Sequence, residues 1–161
     1  MRELVIRKAA LADYKQVNAV YKTGDNFHFR HGSRFFRQNK GFVRPKSWFK
    51  KLICSKRGTI FIAEYSGKVV GVVDAYIQQT PKIPVLVPQR FVYIRDLAVL
   101  PHYKHKGIGR VLMRQAETWG KKGGAAFMEL SVWEFNGDAQ TFYKKLGYRT
   151  VIRRLRKKIP K

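Results

Sequence analysis

The stretch Leu100–Leu112, "LPHYKHKGIGRVL", joins an apolar strand-like run to an apolar helix-like run through Gly107 and Gly109. A helix that begins directly after such a turn exposes backbone N–H groups at its first residues. The helix dipole adds partial positive charge there, and glycines lack the Cβ that would keep an anion at a distance. Lys104, Lys106 and Arg110 reinforce that charge. The turn therefore predicts a cradle for a phosphate or a diphosphate.

Two other phosphate-binding motifs fit this chain poorly. A Walker loop requires Gly-Lys-Ser or Gly-Lys-Thr, and neither triplet occurs. A dinucleotide fingerprint requires a glycine where Leu112 stands. Glu129 lies 20 residues after Gly109, as that fingerprint expects of its ribose-binding acid, but it falls inside a predicted strand. The missing motif residues and the position of Glu129 therefore disfavour both a Walker loop and a dinucleotide-binding site.

The composition favours a folded domain with an anionic partner. The chain has 161 residues, 45% of them hydrophobic, and carries 34 Lys and Arg against 10 Asp and Glu, a formal net charge of +24. Such a field attracts phosphate cofactors, nucleic acid, acidic lipid or acidic small molecules, and it repels polyamines and other cationic substrates. We expect one domain over residues 1–161.

The single cysteine, Cys54, excludes an internal disulfide and a cysteine-rich zinc site. Its apolar neighbours predict that it is buried. His102 and His105 have no carboxylates nearby, so no metal site is predicted. No apolar run has the length of a signal peptide or a membrane span, and we expect a cytoplasmic protein.

Apolar periodicity predicts an α/β fold with the element order β-α-α-β-β-β-α-β-α-β. Gly24 is expected to end the first helix, and Ser66-Gly67-Lys68 to form a hairpin turn. The proline-rich stretch 81–88 is expected to be a loop. The third helix is expected to end near Gly123-Gly124 and to bury one stripe of side chains: Ile108, Val111, Leu112, Gln115 or Ala116, and Trp119. A fourth helix is expected to have Asp138 as N-cap and Gly147 as its stop, and "YRTVIRRLRKKI" is expected to form a closing strand.

Two segments resemble the GNAT superfamily of acetyl-CoA-dependent N-acetyltransferases. "LAVLPHYKHKGIGRVLM" is similar to the strand, pyrophosphate loop and helix of that family, with Lys104 where Gln or Arg is usual. "LSVWEFNGDAQTFYKKLGY" is similar to a later signature of the family, and Gly109 and Asn136 are 27 residues apart. The residues that fall on this second signature are Asn136, Ala139, Phe142, Tyr143, Gly147 and Tyr148.

The resemblance implies a GNAT-like fold with a mixed, mostly antiparallel sheet flanked by about four helices. It implies that acetyl-CoA is the cosubstrate and that Asn136 hydrogen-bonds its pantetheine arm. Tyr143 would protonate the leaving thiolate, and a hydroxyl suits this task because the conjugate thiol has a pKa near about 8.5. The backbone groups implied in cofactor binding are those of Leu97, Ala98 and Val99 for the pantetheine and thioester, and those of His105, Lys106, Gly107, Ile108, Gly109 and Arg110 for the diphosphate.

The residue that takes the proton from the amine stays open. A primary amine is mostly protonated at neutral pH, and freeing it costs on the order of 4 kcal/mol. Two positions where family members often carry a glutamate are Tyr93 and Ser131 here. Glu129 shares a strand face with Ser131 and is the candidate base, acting through water. Asp96 is expected to point to the opposite face from Tyr93, by simple alternation along the strand.

The acceptor is expected to carry a carboxylate or a phosphate near its amine, or to be a protein amine on an RNA-bearing particle. Arg95 lies on the strand face that the resemblance places along the acceptor channel, and residues 26–63 contain ten basic residues and no acidic one. His28 and His31 are weaker candidates, in a segment expected to be a loop. The alternative is that the positive charge only attracts acetyl-CoA.

A second class of function also fits the sequence. Basic residues alternate with aromatic ones between Phe35 and Phe49, a composition typical of nucleic-acid binding. An acyltransferase fold with little or no catalysis, bound to nucleic acid or the ribosome, is therefore the alternative. A homodimer that uses the closing strand as an edge or an exchanged strand is a further expectation.

Overall fold

The computed structural model describes residues 4–160, which fall into two compact units that divide between Ser131 and Val132. The first unit holds a five-stranded sheet and three helices, and the second holds one helix. Two short 3-10 turns occupy Leu11–Asp13 and Pro101–Tyr103. The strands are β1 Leu4–Lys8, β2 Gly58–Tyr65, β3 Lys68–Gln79, β4 Arg90–Val99 and β5 Phe127–Leu130; the helices are α1 Tyr14–His31, α2 Lys46–Ile53, α3 Ile108–Lys122 and α4 Gly137–Lys145.

The sheet is mixed and mostly antiparallel, as the sequence predicts. Its strand order is β1-β2-β3-β4-β5. The first three pairings are antiparallel, and only β4 and β5 run parallel. The parallel pair is joined by α3, the crossover helix that a parallel connection requires. The α/β fold class and the predicted order of elements from β1 to α4 are confirmed.

Helices cover both faces of the sheet in the first unit. One core cluster joins side chains of α1 and α2 with Ile60 and Ile62 of β2 and Val72 of β3. Gly71, which points to the opposite face from Val72, lies against Ile108 and Leu112 of α3. The central strands are therefore buried on both sides, which explains their continuous β-branched runs.

The predicted connections of β3 are also confirmed. Ser66 and Gly67 form the two-residue turn between β2 and β3, both with positive φ angles, 50° and 75°. This geometry matches the right-handed twist of the flanking strands. The proline-rich stretch lies between the end of β3 at Gln79 and the start of β4 at Arg90, without regular secondary structure.

Three local predictions in the first unit are wrong. Helix α1 continues past Gly24 to His31, because the rings of Phe27 and His31 pack 4.2 Å apart on its last turns. Cys54 is exposed, since it caps α2 at the surface. In α3, Val111 is exposed and Trp119 is half-buried, whereas Ile108, Leu112 and Ala116 are buried as expected. The face against the sheet also carries Met113 and Gly120. The helix ends at Gly123, as predicted.

The second unit differs from the sequence prediction at both ends of α4. Its N-cap is Asn136, whose side-chain oxygen accepts a hydrogen bond from the N–H of Ala139 at 3.2 Å, and Asp138 lies in the first turn. Gly147 ends the helix as predicted, with φ +88°. The predicted closing strand is wrong, because the described residues 148–160 form no strand or helix. The concentrated positive charge of this segment opposes ordered pairing.

Candidate active site

The turn before α3 presents backbone N–H groups as the sequence predicts. Gly107 is the N-cap of α3 with φ +79°, and His105 also has a positive φ, +61°. These two left-handed residues curl the chain before the helix starts, a conformation that gathers amides around an anion. A Cβ on Gly107 would meet no described atom within 4 Å, so the space in front of it is open. The geometry fits a diphosphate.

Aromatic rings hold the two lysines of this turn. Lys104 Nζ lies 5.8 Å from the ring centroid of Phe27, and Lys106 Nζ lies 5.5 Å from that of Tyr103. Both contacts are cation–π interactions, which keep the charge near the loop instead of free in solvent. Phe27 comes from the part of α1 that the sequence assigned to a loop.

The first unit opens between β4 and β5 beside this turn. β5 pairs with β4 only from Phe91–Phe127 to Ile94–Leu130. Beyond Ile94, the edge of β4 that faces away from β3 has no strand partner among residues 4–160. The main chain of Leu97, Ala98 and Val99 therefore keeps unpaired backbone groups on that edge, where the resemblance expects pantetheine to bind.

A β-bulge at Arg95 changes which residues of β4 share a face. Asp96 pairs with Asp74, whereas Ile94 pairs with the next residue of β3, Ala75. Arg95 is thus the extra residue, and the alternation reverses after it. Asp96 lies on the same face as Tyr93, toward α1. The expectation that Asp96 points away from Tyr93 is wrong for this reason.

Arg44 joins three elements on this face. Its guanidinium donates to Asp25 Oδ2 of α1 at 3.0 Å and to Asp96 Oδ2 of β4 at 3.0 Å. The same guanidinium lies 5.0 Å from the ring centroid of the buried Tyr21. One half-buried cation thereby pairs with two carboxylates.

Asp74 lies beneath this cluster and has no solvent exposure. Its Oδ1 accepts a hydrogen bond from the backbone N–H of Asp96 at 2.6 Å. Its Oδ2 and the hydroxyl of Tyr21 are both buried without a hydrogen-bond partner among the described residues. Burial, and next the charge of Asp96, raise the pKa of Asp74 to about 8. The carboxyl is therefore mainly protonated at neutral pH.

Arg95 is held over Trp48 of α2. Its guanidinium carbon lies 4.5 Å from the indole centroid, and Nη1 is 3.4 Å from the hydroxyl of Tyr76. Nε is also 3.6 Å from Asp96 Oδ2. Arg95 remains exposed, so it presents a planar, oriented cation at the surface of the face that the sequence associates with the acceptor.

Three of the predicted acceptor-side residues come together at the β4–β5 pair. The hydroxyl of Tyr93 is hydrogen-bonded to Ser131 Oγ at 3.2 Å, and Glu129 is the register partner of Tyr93. Because residues in register on adjacent strands point to the same face, Glu129 lies on the Tyr93 face. Among residues 4–160, the Glu129 carboxylate makes no ion pair within 4 Å.

His28 and His31 lie in the last turns of α1 instead of in a loop. The ring of His28 stacks on Phe36 with centroids 5.0 Å apart, and burial lowers the pKa of His28. His31 Nδ1 is 2.9 Å from the carbonyl oxygen of Phe27. His28 is therefore neutral at physiological pH, and its packing role is established by the structure.

The second unit carries the other two predicted cofactor residues. Asn136 caps α4 with its side-chain oxygen, and this leaves the amide nitrogen of that side chain out of the cap. Tyr143 is half-buried between Phe142 and Tyr148, with ring centroids at 5.2 Å and 5.6 Å. The end of α4 is fixed by hydrogen bonds from the N–H groups of Gly147 and Tyr148 to the carbonyls of Lys144 and Tyr143. These two bonds form a Schellman motif, which fixes the helical turn that carries Tyr143.

Sequence reasoning missed one cluster on this face, formed by Tyr21, Asp25, Arg44, Asp74 and Asp96. These residues are spread over more than 70 positions of the chain. The one local signal was Asp74 inside the apolar run "VVGVVDAYI", since a carboxyl in a strand buried on both faces needs a special environment.

Within residues 4–160, no three His, Cys, Asp or Glu side chains come together as metal ligands would. None of the helices formed by those residues combines the length and the apolar composition that a membrane span needs.

Comparison with known proteins identifies the family of the chain. Residues 27–148 match the model of the acetyltransferase (GNAT) family. An uncharacterized N-acetyltransferase of Bacillus subtilis is 27% identical over 120 residues, which cover 74% of this chain and 78% of that protein. The crystal structure of a point mutant of a Bacillus halodurans protein has a TM-score of 0.91 at 26% identity, covering 97% of this chain and 99% of that one.

A third relative shares the fold at lower identity. An aminoglycoside N-acetyltransferase in complex with CoA has a TM-score of 0.75 at 16% identity, over 99% of this chain and 96% of that one. Its fold agrees with the sheet and helix order described above. With the family match extending over most of the sequence, the chain belongs to the GNAT family of acetyl-CoA-dependent N-acetyltransferases.

Proposed function

We propose that this N-acetyltransferase transfers the acetyl group of acetyl-CoA to a primary amine that carries a carboxylate or a phosphate nearby. Residues 1–161 act as one catalytic domain in this proposal, since the family match spans the division between the two units. The observation that carries the acceptor class is Arg95, an exposed cation oriented over Trp48 on the Tyr93 face.

The chain's own groups provide the binding of acetyl-CoA. The N–H groups of residues 105–110 receive the diphosphate, with Lys104 and Lys106 supplying charge. The unpaired edge of β4 from Leu97 to Val99 receives the pantetheine and the thioester carbonyl. The CoA complex of the aminoglycoside N-acetyltransferase of similar fold supports this cosubstrate.

Two proton transfers accompany the reaction. The amine nitrogen forms a bond to the thioester carbonyl carbon, the C–S bond breaks, and the sulfur leaves as a thiolate that takes a proton from the Tyr143 hydroxyl. Glu129 takes the proton that the amine loses, directly or through water. Glu129 suits this role better than Asp96, because Arg44 and Arg95 both engage Asp96, whereas Glu129 has no ion pair among the described residues.

Charge on the acceptor face favours an acidic amine over a polycation. Arg44 already pairs with Asp25 and Asp96, Arg95 lies a further 3.6 Å from Asp96, and Asp74 is mainly protonated. Glu129 would therefore be the one carboxylate on this face, among the described residues, that is left without an ion pair to bind a cationic acceptor. In an acceptor that carries an acid group, the amine can give its proton to Glu129 while the acid group binds the guanidinium of Arg95.

A panel of matched amines tests the acceptor class, with release of free thiol as the measurement. Ethanolamine is compared with phosphoethanolamine, and propylamine with β-alanine. We expect kcat/KM to be higher for the acidic member of each pair. Efficient turnover of spermidine or of an aminoglycoside, with no turnover of the acidic amines, would contradict the proposal.

Arg95→Ala tests the residue itself. We expect KM for the acidic amine to rise about tenfold or more, because one charge-assisted hydrogen bond contributes about 1.5–3 kcal/mol. The KM for acetyl-CoA should not change. Arg90→Ala is the matched control, since Arg90 begins the same strand and its guanidinium donates a hydrogen bond to the carbonyl of Gly123, away from Trp48 and Tyr76.

Glu129→Gln tests the base. We expect kcat near neutral pH to fall by about a hundredfold, within the range typical of general-base catalysis, and the deficit to shrink at high pH, where the free amine is already unprotonated. Glu134→Gln, at an exposed position of the second unit, is the control. An unchanged pH profile in Glu129→Gln would remove this residue from the mechanism.

The alternative of nucleic-acid binding without catalysis receives less support. Of the aromatic residues that suggested base stacking, Phe49 is fully buried, Trp48 lies under Arg95, and Phe42 stacks on Tyr14 with centroids 5.4 Å apart. Acetyl-CoA should raise the melting temperature of the catalyst proposed here. A nucleic-acid binder would instead show RNA or DNA affinity that falls steeply with salt.

A further inference from the structure

Asp74 interrupts the apolar run "VVGVVDAYI" of β3 with a carboxyl group that has no solvent exposure. It takes no part in the two proton transfers, because a group without exposure cannot contact the acceptor. Its Oδ2 has no hydrogen-bond partner among the described residues, whereas its Oδ1 accepts the N–H of Asp96 at 2.6 Å. Burial of a carboxyl costs free energy that burial of valine does not, so the bond to Asp96 requires a physical reason.

The bond lies where the register of β3 and β4 shifts. Asp96 is the partner of Asp74, and Ile94 is the partner of Ala75, so Arg95 has no partner in β3. A bulge of this kind takes local backbone groups out of the ladder, and a buried amide without a partner is unfavourable. The carboxyl of Asp74 accepts the N–H that directly follows the extra residue. It therefore stabilises the bulged conformation of β4.

The bulge gives Arg95 and Asp96 a shared face, although consecutive residues of a regular strand point to opposite faces. Arg95 lies over the indole of Trp48, and Asp96 accepts a hydrogen bond from Arg44. Arg95 Nε is also 3.6 Å from Asp96 Oδ2. A regular strand would turn one of these two side chains toward α3. The direction of the Arg95 guanidinium therefore depends on the bulge and on the bond that Asp74 accepts.

We infer that Asp74 is a positioning residue that holds the bulge of β4 and thereby sets the preference of the acceptor site for amines with an acid group. This role rests on the proposed function, in which Arg95 binds that acid group. Asp74 acts through the backbone of Asp96 and contacts neither substrate. Residues 97–99 keep an anchor of their own, because they stay in register with residues 71–73 of β3. Loss of the bond should therefore affect Arg95 more than the binding of acetyl-CoA.

Substitutions at Asp74 separate the hydrogen bond from the rest of the side chain. Asp74→Asn keeps an Oδ1 that accepts the Asp96 N–H, and its amide resembles the protonated carboxyl that burial favours by raising the pKa of Asp74. Asp74→Leu keeps the branching at Cγ without an acceptor, and Asp74→Ala replaces it if Asp74→Leu does not fold. Asp13→Leu is the matched control, because Asp13 is also buried and accepts the N–H of Ala10 at 2.7 Å, beside Arg7.

The kinetic measurement is the ratio of kcat/KM for phosphoethanolamine to kcat/KM for ethanolamine. This ratio does not depend on the fraction of folded enzyme, so a loss of stability alone leaves it unchanged. We expect Asp74→Leu to lower the ratio at least about tenfold through a raised KM for phosphoethanolamine, with kcat and the Kd for acetyl-CoA nearly unchanged. Asp74→Asn and Asp13→Leu should keep the original ratio.

A double variant tests whether Asp74 acts through Arg95. The combination Asp74→Leu/Arg95→Ala should lose no more of the preference for phosphoethanolamine than Arg95→Ala alone, because both changes remove the same contact with the acid group. Additive losses would show that Asp74 acts on the acceptor by another route, and would overturn the inference.

Amide exchange of Asp96, followed by nuclear magnetic resonance, measures the positioning without any acceptor. The amide of Ile62 is the internal reference, because β2 is paired on both sides, with β1 and with β3. Relative to Ile62, we expect the Asp96 N–H to exchange at least about tenfold faster in Asp74→Leu and at the original rate in Asp74→Asn. Equal exchange in Asp74→Leu and the original chain would overturn the inference.

The outcomes separate this role from the proposed function. An original chain without preference for phosphoethanolamine contradicts the proposed function, and the exchange of Asp96 then decides the positioning role by itself. With the preference present, an unchanged ratio in Asp74→Leu overturns the inference, and a lowered melting temperature beside it would show that Asp74 only stabilises the sheet. Loss of the preference in Asp74→Asn, which keeps the acceptor atom, also overturns it.

Discussion

The carboxyl of Asp74 accepts a 2.6 Å hydrogen bond from the backbone N–H of Asp96, at the point where the register of β3 and β4 shifts. This bond ties a fully buried acid to the β-bulge at Arg95. The bulge turns Asp96 and Ala98 toward α1, where Asp96 meets Arg44 and the Cβ of Ala98 is 3.8 Å from the position that a Cβ on Gly24 would take. The face of β4 toward α1 therefore depends on an acid that does not itself reach the surface.

Because of Asp74, the free energy of unfolding is expected to fall as pH rises, which is the opposite of the usual behaviour of a carboxyl group. Its pKa is about 8 in the folded chain against 3.8 for an unperturbed carboxyl, so the folded state binds the proton more tightly. The stabilisation is complete below about pH 4 and is lost as pH rises through 8, with a slope approaching 1.4 kcal/mol per pH unit. Asp74→Asn should remove this slope in denaturant titrations between pH 5 and 8.

The contribution of Asp13 to the free energy of unfolding depends on pH in the opposite direction, so Asp13 serves as the comparison. The hydrogen bond and ion pair from Arg7 lower the pKa of Asp13, although burial opposes them. Its contribution to stability is therefore present above the unfolded pKa and is lost on acidification. The Asp13→Asn variant should be less stable than the original chain at pH 7, and the difference in their free energies of unfolding should shrink below pH 4. The Asp74 account fails if Asp74→Asn retains the slope between pH 5 and 8.

Gly107→Ala should weaken the binding of acetyl-CoA. The left-handed φ of +79° costs any other residue about 1 kcal/mol or more, and the new methyl would occupy the open space in front of the loop amides. Gly67→Ala has nearly the same φ, +75°, and equally open space, but lies in the β2–β3 turn. Calorimetry should show a raised Kd for acetyl-CoA in Gly107→Ala alone, while both variants lose similar stability.

Tyr143→Phe should lower turnover strongly and leave acetyl-CoA affinity nearly unchanged. The ring contacts with Phe142 and Tyr148 do not need the hydroxyl, so α4 should stay folded, whereas the leaving thiolate loses its proton donor. Steady-state kinetics and calorimetry with CoA measure the two effects separately. Unchanged turnover would remove Tyr143 from the mechanism.

Gly120→Ala should destabilise the first unit despite the higher helix propensity of alanine. A Cβ at Gly120 would collide with Val92 of β4, which is fully buried, and overpacking of this kind costs about 1–3 kcal/mol. Gly137→Ala, at the first residue of α4, meets no atom within 4 Å and should be neutral or slightly stabilising. The melting temperatures of the two variants show whether the steric clash with Val92 outweighs the higher helix propensity of alanine.

Predictions from local sequence were correct where neighbouring residues decide the structure. The Ser66-Gly67 turn, the loop of 81–88 and the stop of α4 at Gly147 follow from backbone preferences within a few residues. The prediction that α1 ends at Gly24 was wrong because its last turns are stabilised by ring contacts, among them the stacking of His28 on Phe36, which lies beyond the helix. The closing strand was wrong because the concentrated positive charge of 148–160 opposes ordered pairing, and hydrophobic periodicity does not register that charge.

The amino-acid sequence by itself determined the order of elements from β1 to α4, the glycine turn before α3 and the membership of the family. Each depends on contiguous residues, whose spacing sets the backbone geometry directly. Only the tertiary structure decided which residues share the face of β4 toward α1, where a one-residue bulge at Arg95 reverses the alternation of β4 and Arg44 joins acids from α1 and β4. A bulge depends on the pairing of two strands, and ion pairs depend on residues distant in sequence, so neither follows from the periodicity of one segment.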